Sequence, residues 1–410
     1  MSYLLIQADA RAIPLADSSV DCVVTSPPYW GLRDYGVGGQ IGLEPAHDCL
    51  GWATGEPCGE CWVCQMIQVF REARRVLKPW GTVWANLGDA YSAGTRDTAS
   101  FRRDRAGIIP EPGLPGLRPK NLCGVPWRFA LALQADGWWL RSEIIWAKPN
   151  PMPESVKDRP TKSHETIFLL TKCSRYFYDQ DAVRVPYATT ERHRATAKWV
   201  QGWAASGKHN AAAHAVPTHK GSKFPGGKRA LIHHDIGQGE RAESPFGRSL
   251  RTVWSIPPQP TTEAHFATFP ESLVETCILA GTSARGNCPN CGRPWERTTE
   301  RRTHHTSGSA KAGKTAEETA MAGKWAGKNI GMGPKLEIHT TGWCPTCSCS
   351  AGEPAPAVVL DPFVGSGTTC RVADHLGRHG IGLDLNLAYL ADIAAKRCAA
   401  PLQPVLPGVA

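Results

Sequence analysis

The run Ala357-Val358-Val359-Leu360-Asp361-Pro362-Phe363-Val364-Gly365-Ser366-Gly367-Thr368-Thr369 constrains the fold of this chain more than any other segment. It reads as a buried strand, a glycine-rich turn and the start of a helix that continues through Cys370 to Leu376, with Gly377 near its C-terminal cap. His379-Gly380-Ile381-Gly382-Leu383-Asp384-Leu385 follows as a second apolar strand ending in an acid. Strand, glycine turn, helix, strand and carboxylate make a βαβ unit for an adenosine-containing cofactor, with Asp384 placed to take ribose hydroxyls. The third glycine of a dinucleotide fingerprint is missing and no Lys follows the turn, which argues against nicotinamide cofactors and ATP. Phe363 beside the turn and Asp384 seventeen residues after Gly367 suit S-adenosylmethionine, a cofactor without phosphates to cradle.

A second segment points to the other reactant. After the apolar run Val20-Asp21-Cys22-Val23-Val24 comes Thr25-Ser26-Pro27-Pro28-Tyr29-Trp30. Neither proline has an N–H and each fixes its own φ, so the turn presents the Pro27 carbonyl and the Ser26 hydroxyl as acceptors with little freedom. Tyr29 adds a flat face. A base taken out of a duplex needs stacking and hydrogen bonds on its Watson–Crick edge, and this turn supplies both; an ordinary strand-to-loop bend is the plainer reading of the same residues.

Taken together, Asp361-Pro362-Phe363-x-Gly365-x-Gly367 and Ser26-Pro27-Pro28-Tyr29 resemble the two signature motifs of amino-group DNA methyltransferases. The resemblance implies an α/β, Rossmann-like S-adenosylmethionine methyltransferase fold. It implies cofactor contacts from Asp361, Phe363, Gly365, Gly367, Thr368 and Asp384, and catalytic roles for Ser26, Pro27, Pro28 and Tyr29. The catalytic motif precedes the cofactor motif, an order that resembles the circularly permuted β group. Leu5-Ile6-Gln7-Ala8-Asp9-Ala10 resembles the strand whose acid, here Asp9, contacts the cofactor's adenine. Gly81–Asp89 and Glu143–Asn150 match later strands of the catalytic region, Lys148–Pro153 falls where the family lines the target-base pocket, and His265–Glu271 resembles the segment near the cofactor's methionine. The resemblance covers about two thirds of the chain.

Length and charge agree with that assignment. The 410 residues accommodate one large α/β domain with insertions or two domains, and a net charge of +9 suits a polyanionic partner, double-stranded DNA. No run of eighteen apolar residues occurs, so a membrane span is not expected. The N-terminal residues lack a basic signal-peptide region and merge into a strand, so the expected location is the cytoplasm of a bacterium or of a phage-infected cell. Residues 1–185 form the expected catalytic half, with a Cys-rich insertion at 47–64. Residues 186–256, polar and basic, take the position of a target-recognition region, in which cations such as Arg192, Lys198 and Lys208 would neutralise phosphates. Residues 257–400 form the expected cofactor half, with a zinc-ribbon-like insertion at 286–350. Arg96–Lys120 reads as a loop, and so does the Gly-, Ala- and Lys-rich stretch Thr306–Lys335.

The fifteen cysteines suggest metal more than disulfides in such a compartment. Cys288-x-x-Cys291 and Cys344-x-x-Cys347-x-Cys349 offer two knuckles for a structural zinc ion, with Cys349 competing with Cys344 for the fourth place. Cys49, Cys58, Cys61 and Cys64, with His47 beside them, offer a second, less regular site. Unmetallated structural thiols are the alternative for both. Cys64 also opens a helix in which Met66, Val69, Phe70, Ala73, Val76 and Leu77 repeat at three and four, with Lys78-Pro79 as its stop.

Within the family, Ser before Pro-Pro-Tyr goes mostly with cytosine N4, and Asp or Asn mostly with adenine N6. The expected reaction is therefore transfer of a methyl group to cytosine N4 in duplex DNA, after base flipping and without a covalent enzyme intermediate. N6-adenine is the runner-up. An RNA or protein-amide methyltransferase, for which Asn-Pro-Pro-Tyr is more typical, and an inactive DNA-binding zinc protein are further alternatives. A cognate restriction endonuclease is the partner that such an enzyme accompanies.

Overall fold

The computed structural model describes residues 2–31, 34–44, 58–92, 101–103, 108–110, 118–185, 248–259, 269–304, 335–350 and 352–400. Most of the 186–256 stretch, Cys49, His265–Thr268 and the Thr306–Lys335 stretch up to residue 334 lie outside these residues. The chain divides into two units, one of Met1–Val183, Leu250–Thr298 and Gly342–Ala410, the other of Arg184–Ser249 and Thr299–Thr341.

Twelve strands are present among the described residues: β1 (Tyr3–Gln7), β2 (Val20–Thr25), β3 (Leu77–Leu87), β4 (Phe101–Arg103), β5 (Ile108–Pro110), β6 (Trp139–Ala147), β7 (His164–Thr171), β8 (Val253–Ser255), β9 (Trp295–His304), β10 (Lys335–Pro345), β11 (Val358–Asp361) and β12 (His379–Asp384). The helices are α1 (Trp62–Val76), α2 (Val125–Ala135), α3 (Glu271–Gly281), α4 (Thr368–His375), α5 (Leu387–Tyr389) and α6 (Ala395–Ala399), with a π-helical stretch, Leu390–Ala394, between the last two. Eight strands form one sheet in the order β1-β12-β11-β2-β3-β7-β6-β8. From β1 to β3 every neighbour is parallel; β7 runs antiparallel to both β3 and β6.

Alternation along the strands builds a core on each face. Val83, Ala85 and Leu87 of β3 and Phe168 and Leu170 of β7 pack with Phe70 of α1 and Phe129 of α2. Trp84, Ile167 and Leu169 turn to the other face, against Val274 and Ile278 of α3 and Val372 of α4. A sheet covered by helices on both sides needs apolar residues at successive positions, which is why β2 is buried along its whole length. Helix α1 starts at Trp62, two residues before the expected Cys64, and Leu77 leaves it directly into β3, so that Lys78-Pro79 lie at the start of a strand. The expected βαβ unit is present as β11, α4 and β12, with Gly377 at φ +71° just past α4.

In the second unit Val185 and Arg248 exchange backbone hydrogen bonds of 3.0 and 2.8 Å. Strands β9 and β10 form a two-stranded sheet of their own, and β4 and β5 another. No helix among the described residues is long and apolar enough to cross a membrane.

Candidate active site

Strands β2 and β11 lie side by side and parallel, with Cys22 opposite Val359 and Val23 opposite Leu360. Their carboxyl ends therefore deliver Ser26-Pro27-Pro28-Tyr29 and Asp361-Pro362-Phe363 to one place, the edge at which open α/β sheets bind ligands. Asp361 joins the two segments. Its Oδ1 accepts from the Thr25 hydroxyl at 2.7 Å and from the Phe363 N–H at 3.0 Å, and its Oδ2 accepts from the Thr369 hydroxyl at 2.7 Å. Burial raises its pKa to about 6 despite these donors. Asp361 reaches the wall of the site, yet both its oxygens are engaged by the protein, so its side chain works as a staple between the motifs.

A cleft of about 210 Å³ opens there. Ser26, Pro27, Pro28 and Tyr29 line it, and so do Asp9, Asp361, Phe363, Gly365, Thr368 and Asp384. Gly367 does not. It takes φ +86° at the N-cap of α4, where a Cβ would come within 2.9 Å of the Cys398 sulfur, so its part is to shape the turn. Phe269, the start of the described part of the His265–Glu271 segment, also lines the cleft.

Three carboxylates and no Lys, Arg or His line this cleft among the described residues. Asp384 ends β12, and its Oδ1 accepts from the Asn386 N–H at 2.8 Å; burial raises its pKa. Asp9 is held differently. Burial works against its ionisation, but the Arg11 guanidinium grips both oxygens, at 2.6 Å for the shortest contact, and holds the pKa below the usual value. Its carboxylate is thus already engaged, and the adenine contact implied by the resemblance would have to share it with Arg11.

Around Tyr29 lies a network that sequence reading missed. The Tyr29 hydroxyl donates to Glu165 Oε2 at 2.7 Å, and Asn86 Nδ2 donates to both the Tyr29 oxygen (2.9 Å) and Glu165 Oε2 (2.8 Å). Lys148, one residue past β6, donates to Glu165 Oε1 at 2.5 Å and sits 4.4 Å from the Trp146 ring centroid. Burial first, and then the Glu165 charge, push the Tyr29 pKa well above its usual value, so the ring stays a neutral donor. The Ser26 hydroxyl points at the same oxygen from 3.4 Å, which leaves its lone pairs to accept. Trp62, at the start of α1, donates its indole N–H to the Pro28 carbonyl at 3.0 Å. No described residue donates to the Pro27 carbonyl.

Of the proposed metal ligands, Cys288, Cys291, Cys347 and Cys349 bring their sulfurs within 4.8 Å of one another, and so do Cys58, Cys61 and Cys64. Cys344 is exposed and stands outside the four-sulfur group, near the end of β10, which runs to Pro345. Cys49 lies outside the described residues.

The chain matches the family model described as DNA methylase over residues 20–288 and 351–396. It belongs to the N6/N4 DNA methylase family. Among curated relatives, the Type II methyltransferase M.SmaI of Serratia marcescens is 32% identical over 401 residues, 97% of this chain and 90% of the relative. The Type II methyltransferase M.Cfr9I of Citrobacter freundii is 40% identical over 283 residues, 68% of this chain and 72% of the relative. Among solved structures, the cytosine-N4-specific PvuII DNA methyltransferase is 13% identical with a TM-score of 0.48, covering 99% of this chain and 89% of that one.

Proposed function

We propose that this DNA methylase is a site-specific Type II modification enzyme that transfers a methyl group from S-adenosylmethionine to N4 of a cytosine in double-stranded DNA. The observation that carries the reading is the single cleft in which Ser26–Tyr29 meets Phe363, Gly365 and Asp384. A lining with three carboxylates and no basic side chain is a poor cradle for phosphates and a good one for a sulfonium cation with ribose hydroxyls. When bound there, the cofactor supplies an electrophilic methyl group. Asp384 would hold the ribose, and Phe363 would pack against the adenosine.

The protein's own work is done on the amine. Its lone pair is delocalised into the base, so the nitrogen attacks well only when it is held pyramidal and in line with the methyl group. The Pro27 carbonyl and the Ser26 hydroxyl accept from the amino hydrogens, and Tyr29 clamps the ring, its own position set by Asn86 and Glu165. Transfer is then direct, with the proton leaving to solvent. Cytosine is favoured over adenine because a neutral hydroxyl, Ser26, stands where N6-type enzymes mostly carry Asp or Asn.

The chain order of the motifs, with β1 beside the late strand β12, supports a circularly permuted arrangement of the methyltransferase fold. Likeness to Type II enzymes supports a cognate restriction endonuclease as partner. Incubation with duplex DNA and methyl-labelled S-adenosylmethionine, followed by nucleoside mass spectrometry, tests the reading. N4-methylcytosine is expected; N6-methyladenine alone would overturn the base assignment, and no incorporation would overturn the activity.

A further inference from the structure

The four sulfurs of Cys288, Cys291, Cys347 and Cys349 lie where the β9–β10 excursion leaves and rejoins the large sheet. Cys288 is seven residues before β9, and Cys347 is two residues after β10. Asn287, next to Cys288, is pinned to the body of the protein. It exchanges 2.8 Å backbone hydrogen bonds with Ala355, and its side chain donates to the buried Asp21 at 2.8 Å. Asp21 in turn accepts from the Val358 N–H at 2.9 Å, at the start of β11, and pairs with Lys78 at 2.8 Å.

The incoming turn is shaped like a thiolate-binding knuckle. The backbone N–H groups of Asn290 and Cys291 face the Cys288 sulfur, the Gly292 N–H donates to the Cys288 carbonyl at 2.8 Å, and Gly292 takes φ +72°. The returning strand is bare by comparison: no residue from 340 to 350 is buried. This end is held by the β9–β10 ladder, by the Thr346 hydroxyl donating to the Pro294 carbonyl at 2.8 Å and by Arg297 over the Trp343 ring, without an apolar core among the described residues.

We propose that Cys288, Cys291, Cys347 and Cys349 bind one Zn²⁺ as a closed tetrathiolate site that cross-links the two ends of the excursion, and that Cys344 is not a ligand. Four thiolates satisfy tetrahedral zinc completely, which leaves no position for water and makes the site structural. Loading the site turns thiols into thiolates and releases their protons to the buffer. The assignment departs from the repeat in the sequence. Cys-Pro-x-Cys occurs twice, at 288–291 and 344–347, and symmetry of that repeat selects Cys344; the fold selects Cys349. The inference does not depend on the methyl-transfer reading.

Metal content of the purified full-length protein tests it, measured by inductively coupled plasma mass spectrometry on wild type, Cys344→Ser, Cys349→Ser and Cys288→Ser. Cys344→Ser is expected to keep the wild-type zinc content. Cys349→Ser and Cys288→Ser are each expected to lose one equivalent, whatever the Cys58–Cys64 group holds. Loss in Cys344→Ser with retention in Cys349→Ser would overturn the ligand set, and zinc-free wild type would overturn the site. Should Cys349→Ser fail to fold, Co²⁺ exchanged into wild type and into Cys344→Ser decides the matter. Identical four-sulfur ligand-field spectra support the assignment, whereas a spectrum altered by Cys344→Ser refutes it. A disulfide among these cysteines in non-reducing peptide maps of freshly purified protein would refute it as well.

Discussion

Thr25 and Asp361 lie 336 positions apart in the chain and 2.7 Å apart in the structure, hydroxyl to carboxylate, fully buried. The bond ties the Ser26–Tyr29 turn to the Asp361–Gly367 turn at the level of two adjacent parallel strands. Thr25→Val keeps the shape and removes the donor, which is expected to cost about 1–3 kcal/mol of stability. It should weaken both S-adenosylmethionine binding and methylation, whereas Thr25→Ser should restore most of each. Urea denaturation with calorimetric titration of the cofactor checks this; unchanged stability in Thr25→Val would refute it.

Asp361 also writes a pH dependence into the fold. Its folded pKa is raised to about 6, above the unfolded carboxyl value, so between about pH 4 and pH 6 the folded state holds a proton that the unfolded state has lost. Stability from this group is therefore greatest at low pH and falls as pH rises through that window, by about 3 kcal/mol at the upper limit. Wild type should lose stability relative to Asp361→Asn on going from pH 4 to pH 6.5, as read from paired denaturation curves. Parallel curves would show that Asp361 ionises in the fold as freely as in the unfolded chain.

Tyr29 makes separable contributions through its ring and its hydroxyl. Tyr29→Ala removes a face of the kind whose stacking is worth about 1–3 kcal/mol per base, and methylation should fall by up to about 100-fold while cofactor affinity is retained. Tyr29→Phe keeps the ring and leaves Glu165 with Asn86 and Lys148, so a loss nearer 10-fold is expected. Comparable losses in the two variants would make the hydroxyl, and not the face, the working part.

Gly88 touches the same ring from behind. A Cβ at this position would sit 2.6 Å from Tyr29 Cε2, closer than any real contact, so Gly88→Ala must displace the tyrosine or the loop after β3. Methylation is expected to drop by about 10-fold or more with cofactor binding intact, because misplacement by a fraction of an ångström is costly in transfer chemistry. A crystal structure of the variant with Tyr29 unmoved, or full activity, would contradict this.

Asp384 lines the same cleft, and the proposed reading gives it a part in binding and none in chemistry. Asp384→Ala should raise the dissociation constant for S-adenosylmethionine by about 10-fold or more, with much of the methylation rate recovered at saturating cofactor. Titration calorimetry and initial rates across cofactor concentration measure both; a rate that stays low at saturation would place Asp384 in the transfer step itself.

What could be read in advance was local. Ser26-Pro27-Pro28-Tyr29 and Asp361–Asp384 announce themselves because rigid or glycine-rich turns follow short apolar strands, and strand, turn and helix then lie within one stretch of chain. The partners of Tyr29 were hidden for the opposite reason. Asn86 and Glu165 are 57 and 136 residues away from it, and neither differs in its own surroundings from an ordinary polar residue at the end of a strand. The start of α1 was misplaced because Cys61, its N-cap, makes no capping bond with its side chain, so nothing in the composition marks that end. Between Cys344 and Cys349 the repeated spacing left the fourth place open, because spacing along the chain does not say which sulfur lies near the others; in the structure it is Cys349.

Strand β1 pairs with β12 from Tyr3–Gly380 to Gln7–Asp384, so an early strand waits for a partner made long after it. At ordinary rates of synthesis, the 336 residues from Thr25 to Asp361 take on the order of 20–70 s to appear. Throughout that interval β1 and β2 lack the neighbours that should lie between them, and no half of the cleft exists without the other. Synthesis of β11 and β12 is therefore a timing gate: the cleft forms only after both have been made, and any product cut short before β11 carries two unpartnered strand edges and no site.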